Sequence, residues 1–175
     1  MRLFVSIDFP ESIRENVHSW VPEQKGWKKV SVYQLHLTLV FLGDSSEREE
    51  EEINKKLSEI EFTPFDLTIE GLGAFPTESS PRIIWAGVRE NDQLMNLQEK
   101  VSDRLKDHIK SKHTDSYIPH ITLARKKSRK GINHIEKKNI QENGGELTVQ
   151  VKSFQLKQSI LKPQGSEHKI LHKYF

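Results

Sequence analysis

Cysteine is absent from all 175 residues, so no disulfide and no thiolate metal site can form. This absence fits a reducing compartment, and we read the chain as cytoplasmic. Long apolar runs are missing too: nothing approaches the roughly eighteen residues of a membrane-spanning helix. The opening MRLFVSIDF is only briefly apolar, broken by Ser6 and Asp8, and reads as a strand rather than a secretion signal. Charge of one sign is scarce. With 27 Lys and Arg against 25 Asp and Glu, the formal charge is +2, too small to argue for nucleic acid by itself, so any basic footprint must be local. No GxxxxGK[ST] loop and no GxGxxG after a strand occurs, which leaves ATP or dinucleotide chemistry without its cradle. An adenylated-lysine ligase motif is missing as well. What is present is 30% charged and 34% hydrophobic, a soluble composition at a length that suits one domain or two small lobes sharing a core.

Hydrophobic periodicity divides the chain into strands and helices. Leu3, Val5 and Ile7 alternate as a first strand, and Ile13, Val17 and Trp20 follow Pro10 at helical spacing before Pro22 and Gly26. A strand from His36 ends at Gly43. Ser46 and Glu49 have capping-box spacing ahead of a helix with Ile53, Leu57 and Ile60 on one face. Phe65, Leu67 and Ile69 predict a strand, Gly71-Leu72-Gly73 a turn or bulge, and RIIWAGV after Pro81 a further strand. Asn91 or Asp92 caps a helix carrying Leu94, Leu97, Val101, Leu105 and Ile109. After a strand from His120 come a basic loop (Arg125 to Lys130), a short helix over 132–140, a strand from Leu147 toward Leu156, and a last strand from Lys169 to Phe175. The order predicts an α+β fold of two similar lobes with helices outside.

One tetrapeptide occurs twice with a single change: His36-Leu37-Thr38-Leu39 and His120-Ile121-Thr122-Leu123. From eight His and seven Thr, composition alone gives roughly 0.3 His-x-Thr triplets. In a strand, residues i and i+2 share a face. Each motif therefore shows an imidazole and a hydroxyl on one side, while Leu37 and Leu39, or Ile121 and Leu123, fill the other. Such a pair suits acid–base chemistry on a phosphodiester, one imidazole taking a proton and the other giving one. Thr38 and Thr122 would donate to the non-bridging oxygens. Zinc is not expected, since each motif offers one nitrogen and no neighbouring carboxylate or thiolate.

The paired HLTL and HITL, with FLG after the first and AR after the second, resemble the two-histidine (2H) phosphoesterases. The similarity is greatest to the RNA 2′,3′-cyclic phosphodiesterases, also called 2′-5′ RNA ligases. It extends over RLFVSIDFP, RIIWAGV and QSILKPQGSEHKIL, and the spacing from 36 to 120 is typical of that branch. The resemblance implies a single bilobal, pseudo-symmetric domain over residues 1–175, with two antiparallel sheets facing a central groove. It implies His36 as proton donor to the leaving O3′ and His120 as the acceptor that activates water, yielding a 2′-phosphomonoester. RNA or nucleotides ending in a 2′,3′-cyclic phosphate are the implied partners; from the residues themselves no cofactor, metal or membrane is expected, and a chain carrying its own two lobes is expected to be a monomer. One departure is Val40, where relatives often carry a basic residue (LTLRFLG or LTLKFLG).

The resemblance also makes Arg125 a phosphate or substrate contact, and a guanidinium fork suits phosphate. On strand alternation alone it faces away from His120, so a strand end or bulge must turn it inward. Lys126, Lys127, Arg129 and Lys130 extend a basic run able to track an RNA backbone. Phe9, at the corner before Pro10, is the candidate for stacking on a base, with Phe41 and Trp85 expected in the core. His18, His108, His113, His134, His168 and His172 lack the motif context and are expected to be surface or structural. Two other readings differ in class or substrate: a non-catalytic RNA- or nucleotide-binding module, and the same chemistry on 2′-5′ linkages or an ADP-ribose cyclic phosphate.

Overall fold

The alternating apolar residues pair into two antiparallel sheets, as a computed structural model of the chain shows for residues 1–110, 116–127 and 145–175. The helix expected over 132–140 lies outside the described residues, as do Arg129, Lys130, His113 and His134. The first sheet contains β1 (Arg2–Asp8), β3 (His36–Asp44), β8 (Phe154–Lys162) and β9 (Gly165–Tyr174) in the order β3-β1-β8-β9. The second contains β2 (Trp27–Lys29), β4 (Phe65–Pro76), β5 (Pro81–Val88), β6 (His120–Lys126) and β7 (Glu146–Val151) in the order β2-β6-β5-β4-β7. One motif strand thus belongs to each sheet, and the fold is the α+β, two-sheet arrangement expected.

Among the described residues three α-helices accompany the sheets: α1 (Glu11–His18), α2 (Glu47–Ser58) and α3 (Asp92–Arg104). Helix α2 starts at the capping box, where Ser46 Oγ accepts from the Glu49 amide at 3.2 Å and Glu49 Oε2 accepts from the Ser46 amide at 2.7 Å. Asn91, not Asp92, caps α3 by accepting from the Leu94 amide at 2.9 Å. Ile53 and Leu57 of α2 and Leu94, Leu97 and Val101 of α3 are almost fully buried, each adding about 1.5–3 kcal/mol relative to exposure. They join Leu37, Leu39, Ile121 and Leu123 in one continuous core. The apolar halves of both motifs therefore anchor their strands and leave the His-Thr halves facing away from it.

Two segments differ from the sequence reading. The run expected from Leu147 toward Leu156 is two strands in different sheets, β7 pairing with β4 and β8 with β1. The parity of the apolar positions shifts between Val151 and Phe154, so one strand could not bury both sets on one face. The last strand begins at Gly165 and pairs along β8 from Lys162↔Gly165 to Phe154↔Tyr174. Its polar first half, Gly-Ser-Glu-His, lacks the alternation that marks a half-buried strand.

Candidate active site

Both motif strands carry a bulge at the same place. Val5 and Ser6 of β1 pair with Val40 and Thr38, skipping Leu39. Ile84 and Trp85 of β5 pair with Ala124 and Thr122, skipping Leu123. The extra residue reverses the alternation, so the side chain five positions after each histidine returns to the histidine's face. In β6 that residue is Arg125, and the bulge supplies the inward turn that plain alternation denied it. In β3 it is Phe41, 58% exposed, whereas Val40 is directed into the core at 7%.

Each imidazole is held from behind by its own strand. The carbonyl of Gln34 lies 2.7 Å from His36 Nδ1 and that of Ile118 lies 2.7 Å from His120 Nδ1. A carbonyl only accepts, so Nδ1 carries the proton in both rings and Nε2 is the nitrogen left to gain one. In β3, Nε2 meets Thr38 Oγ1 at 3.0 Å. A neutral His36 accepts from that hydroxyl. A protonated one donates to it, freeing the hydroxyl hydrogen for an anion. Tyr117, just before β6, donates from its phenol to the Thr38 carbonyl at 2.7 Å and so ties the motif strands together.

Around His36 lie Phe4, with ring centroids 5.2 Å apart, and His168 of β9, edge-on at 5.1 Å. Buried Lys157 of β8 pairs with Asp8 of β1 beneath them. Burial, and after it the Lys157 charge, lowers the His36 pKa to about 4. Around His120 lie Phe75, edge-on at 4.9 Å, and Trp85 at 6.0 Å. The indole lies flat over Gly73, where an added Cβ would fall 2.2 Å from it. Burial lowers the His120 pKa, as does the Arg125 charge, against the Ile118 carbonyl that raises it. The Arg125 charge reaches His168 as well. Packing of β3 against β6 and the Tyr117–Thr38 bond set the two histidine-bearing strands side by side, one at the margin of each sheet's share of the groove.

Several placements correct the sequence reading. Phe9 is a core residue at 5% exposure, so its ring offers no free face to a base; the turn into α1 folds it inward. Phe41 and Trp85, expected in the core, lie on the groove faces, because the bulge redirects the first and Gly73 makes room for the second. His168, expected to be surface or structural, stands against His36. The strand expected from Lys169 stops one residue short of it, and the polar residues before it carry no alternation. His172 bonds Glu50 at 2.7 Å and His108 is buried. Alternation sends Lys126 to the face opposite Arg125, beside buried Trp27. No group of three or more His, Asp or Glu able to hold a metal ion occurs among the described residues.

Two antiparallel sheets, each offering a histidine and a threonine to a shared groove, define the two-histidine phosphoesterase class. The 2′-5′ RNA ligase superfamily matches residues 9–159. Two proteins named RNA 2′,3′-cyclic phosphodiesterase are similar along nearly the whole chain. That of Archaeoglobus fulgidus is 39% identical, covering 98% of each chain, and that of Aeropyrum pernix 34%, covering 91% and 90%. The crystal structure of Escherichia coli LigT complexed with 3′-AMP superposes with a TM-score of 0.82 at 26% identity, covering 98% of this chain and 95% of that one. The chain thus belongs to the RNA 2′,3′-cyclic phosphodiesterase family of the 2′-5′ RNA ligase superfamily.

Proposed function

We propose that the protein hydrolyses the 2′,3′-cyclic phosphate of RNA ends or nucleotides to a 2′-phosphomonoester, without a metal, with His36 and His120 as the proton-transfer pair. The carrying observation is the pair of imidazoles with matched tautomers, Nδ1 of each bound to a backbone carbonyl, on strands tied together by the Tyr117–Thr38 bond. His120 takes the proton of the attacking water. His36 gives one to the departing O3′. Thr38, Thr122 and Arg125 hold the non-bridging oxygens as charge grows on them.

Burial and the Lys157 charge hold His36 at a pKa near 4, so its imidazolium needs a counter-charge. Its donor role therefore requires the substrate. A phosphodiester anion beside Nε2 opposes the Lys157 field and favours the imidazolium, and an imidazolium of low intrinsic pKa is a strong acid toward an alkoxide. For the transfer, Nε2–H turns from Thr38 Oγ1 to the leaving O3′, and the Thr38 hydroxyl is then free to donate to a non-bridging oxygen. The bilobal chain completes this site alone, which supports a monomer of one domain, and the cysteine-free composition supports the cytoplasm.

The test is incubation of the purified protein with nucleoside 2′,3′-cyclic phosphates in EDTA, followed by identification of the product isomer. The 2′-monophosphate is expected. Formation of the 3′-isomer overturns the assignment of leaving group, and nucleotide affinity without any product favours the binding-module reading.

A further inference from the structure

We propose that His168 is a third substrate-contacting histidine of this site, hydrogen-bonding a non-bridging oxygen of the phosphoryl group held between His36 and His120. The proposal rests on the function given above and extends the list of groups that hold its substrate.

Three observations carry it. First, His168 is on the groove face: it lies opposite Ser159, which lies opposite Arg2, two residues from Phe4 on the same side of β1. Its ring centroid is 5.0 Å from Phe4 and 5.1 Å from His36. Second, its Nδ1 is buried and has no hydrogen-bond partner among the described residues. The half-buried ring therefore gives up no existing Nδ1 bond when it turns to bring a nitrogen to a ligand oxygen in the groove. Third, its position is held independently. Gln34, whose carbonyl orients His36, also donates from its side-chain amide to the carbonyl of Ser166, and Lys28 donates to the carbonyl of Gln164 at 2.9 Å. The residue that sets the first histidine thus also grips the hairpin bearing the third.

The asymmetry of the motifs gives this contact a purpose. Five residues after His120 stands Arg125, a phosphate-binding cation; five residues after His36 stands Phe41, which offers none. His168 supplies from β9 the nitrogen donor that position 41 of β3 lacks. The charged and titratable groups facing it are Lys157 of β8, Asp8 of β1, Arg125 of β6 and His36 of β3. Cations outnumber the single carboxylate, as an anion site requires.

The experiment uses His168→Phe, which keeps an aromatic ring against Phe4 and His36, and His168→Gln, which keeps a hydrogen-bond donor. Turnover is read with adenosine 2′,3′-cyclic phosphate and binding with adenosine 2′-monophosphate, at pH 6 to 8. His168→Phe is expected to raise both KM and the Kd of the monophosphate tenfold or more, the scale of a hydrogen bond to a charged group. His168→Gln should recover most of the loss. The Kd of the parent protein should rise more steeply with pH than that of His168→Phe. Parental KM and Kd in His168→Phe overturn the proposal, as does a defect in His168→Gln that His168→Phe lacks, since the ring would then serve packing alone. Should the parent protein bind the monophosphate through His168 yet turn over no cyclic phosphate, the proposed reaction fails and this contact stands. A protein binding neither ligand overturns both.

Discussion

The two motif strands differ by one aliphatic residue within the tetrapeptide, share a bulge at the same position and present the same carbonyl to the same nitrogen. Their histidines nevertheless differ as acids. His36 is enclosed by Phe4 and His168 above a buried Lys157–Asp8 pair, and its pKa falls to about 4. His120 is half-buried between Phe75 and Trp85, with Arg125 on its own strand, and its pKa is lowered by burial, opposed by the Ile118 carbonyl. Near-identical local sequence thus acquires two chemical characters from what neighbouring strands place around it. A pair of titrating groups in unlike surroundings is what acid–base catalysis on a single phosphorus requires.

The comparison breaks most visibly at the histidines themselves. His36→Ala and His120→Ala are each expected to lower kcat by about a hundred- to ten-thousand-fold on cyclic phosphates, with unchanged circular dichroism. An aryl phosphodiester, whose leaving group needs no proton, separates them: the deficit should shrink in His36→Ala, the proposed donor, and persist in His120→Ala, the proposed acceptor. The opposite pattern would exchange their roles.

Stability should reveal the same asymmetry. The folded-state pKa of His36 is depressed from 6.5 to about 4, so the unfolded chain takes up the proton first. Stability is whole above pH 6.5 and falls as pH drops toward 4, by on the order of 3 kcal/mol for this residue. Urea midpoints measured between pH 7 and pH 4 should decline less in His36→Gln than in the parent, and His120→Gln should flatten the curve by a smaller amount.

The fifth position after each histidine offers a finer comparison. Arg125→Ala should reduce kcat/KM by about ten- to a hundredfold, with Arg125→Lys recovering only part because it lacks the bidentate fork. Phe41→Ala, at the matching place in β3, should leave kcat unchanged and raise KM a few-fold through loss of an exposed apolar contact. Steady-state kinetics on the same cyclic nucleotide check both. An Arg125→Ala effect no larger than that of Phe41→Ala would show that the guanidinium takes no part in holding phosphate.

Much of the scaffold was legible because local rules and tertiary packing agree. The alternation of Leu3, Val5 and Ile7, the Ser46–Glu49 cap and the helical spacing of Leu94, Leu97 and Val101 each specify an element from within a few residues. Phe9, Phe41 and Trp85 were placed on the wrong sides, since an aromatic ring suits core and groove equally. The bulge in β3 decides for Phe41 and the side-chain-free Gly73 for Trp85, while the turn into α1 takes Phe9 inward. His168 was illegible because its half-strand, GSEH, is held by pairing with β8 and by the Gln34 amide rather than by any apolar pattern of its own.

By itself the sequence determined which chemistry was available: two imidazole–hydroxyl pairs on strand faces, no thiolate and no phosphate-cradling glycine loop. It determined too that aliphatic residues would anchor those strands. Tertiary structure alone decided which other side chains share the groove and how each imidazole titrates. Bulges, strand order and burial are set by contacts between residues far apart in the chain, and a proton's free energy depends on every charge and every removed water around it.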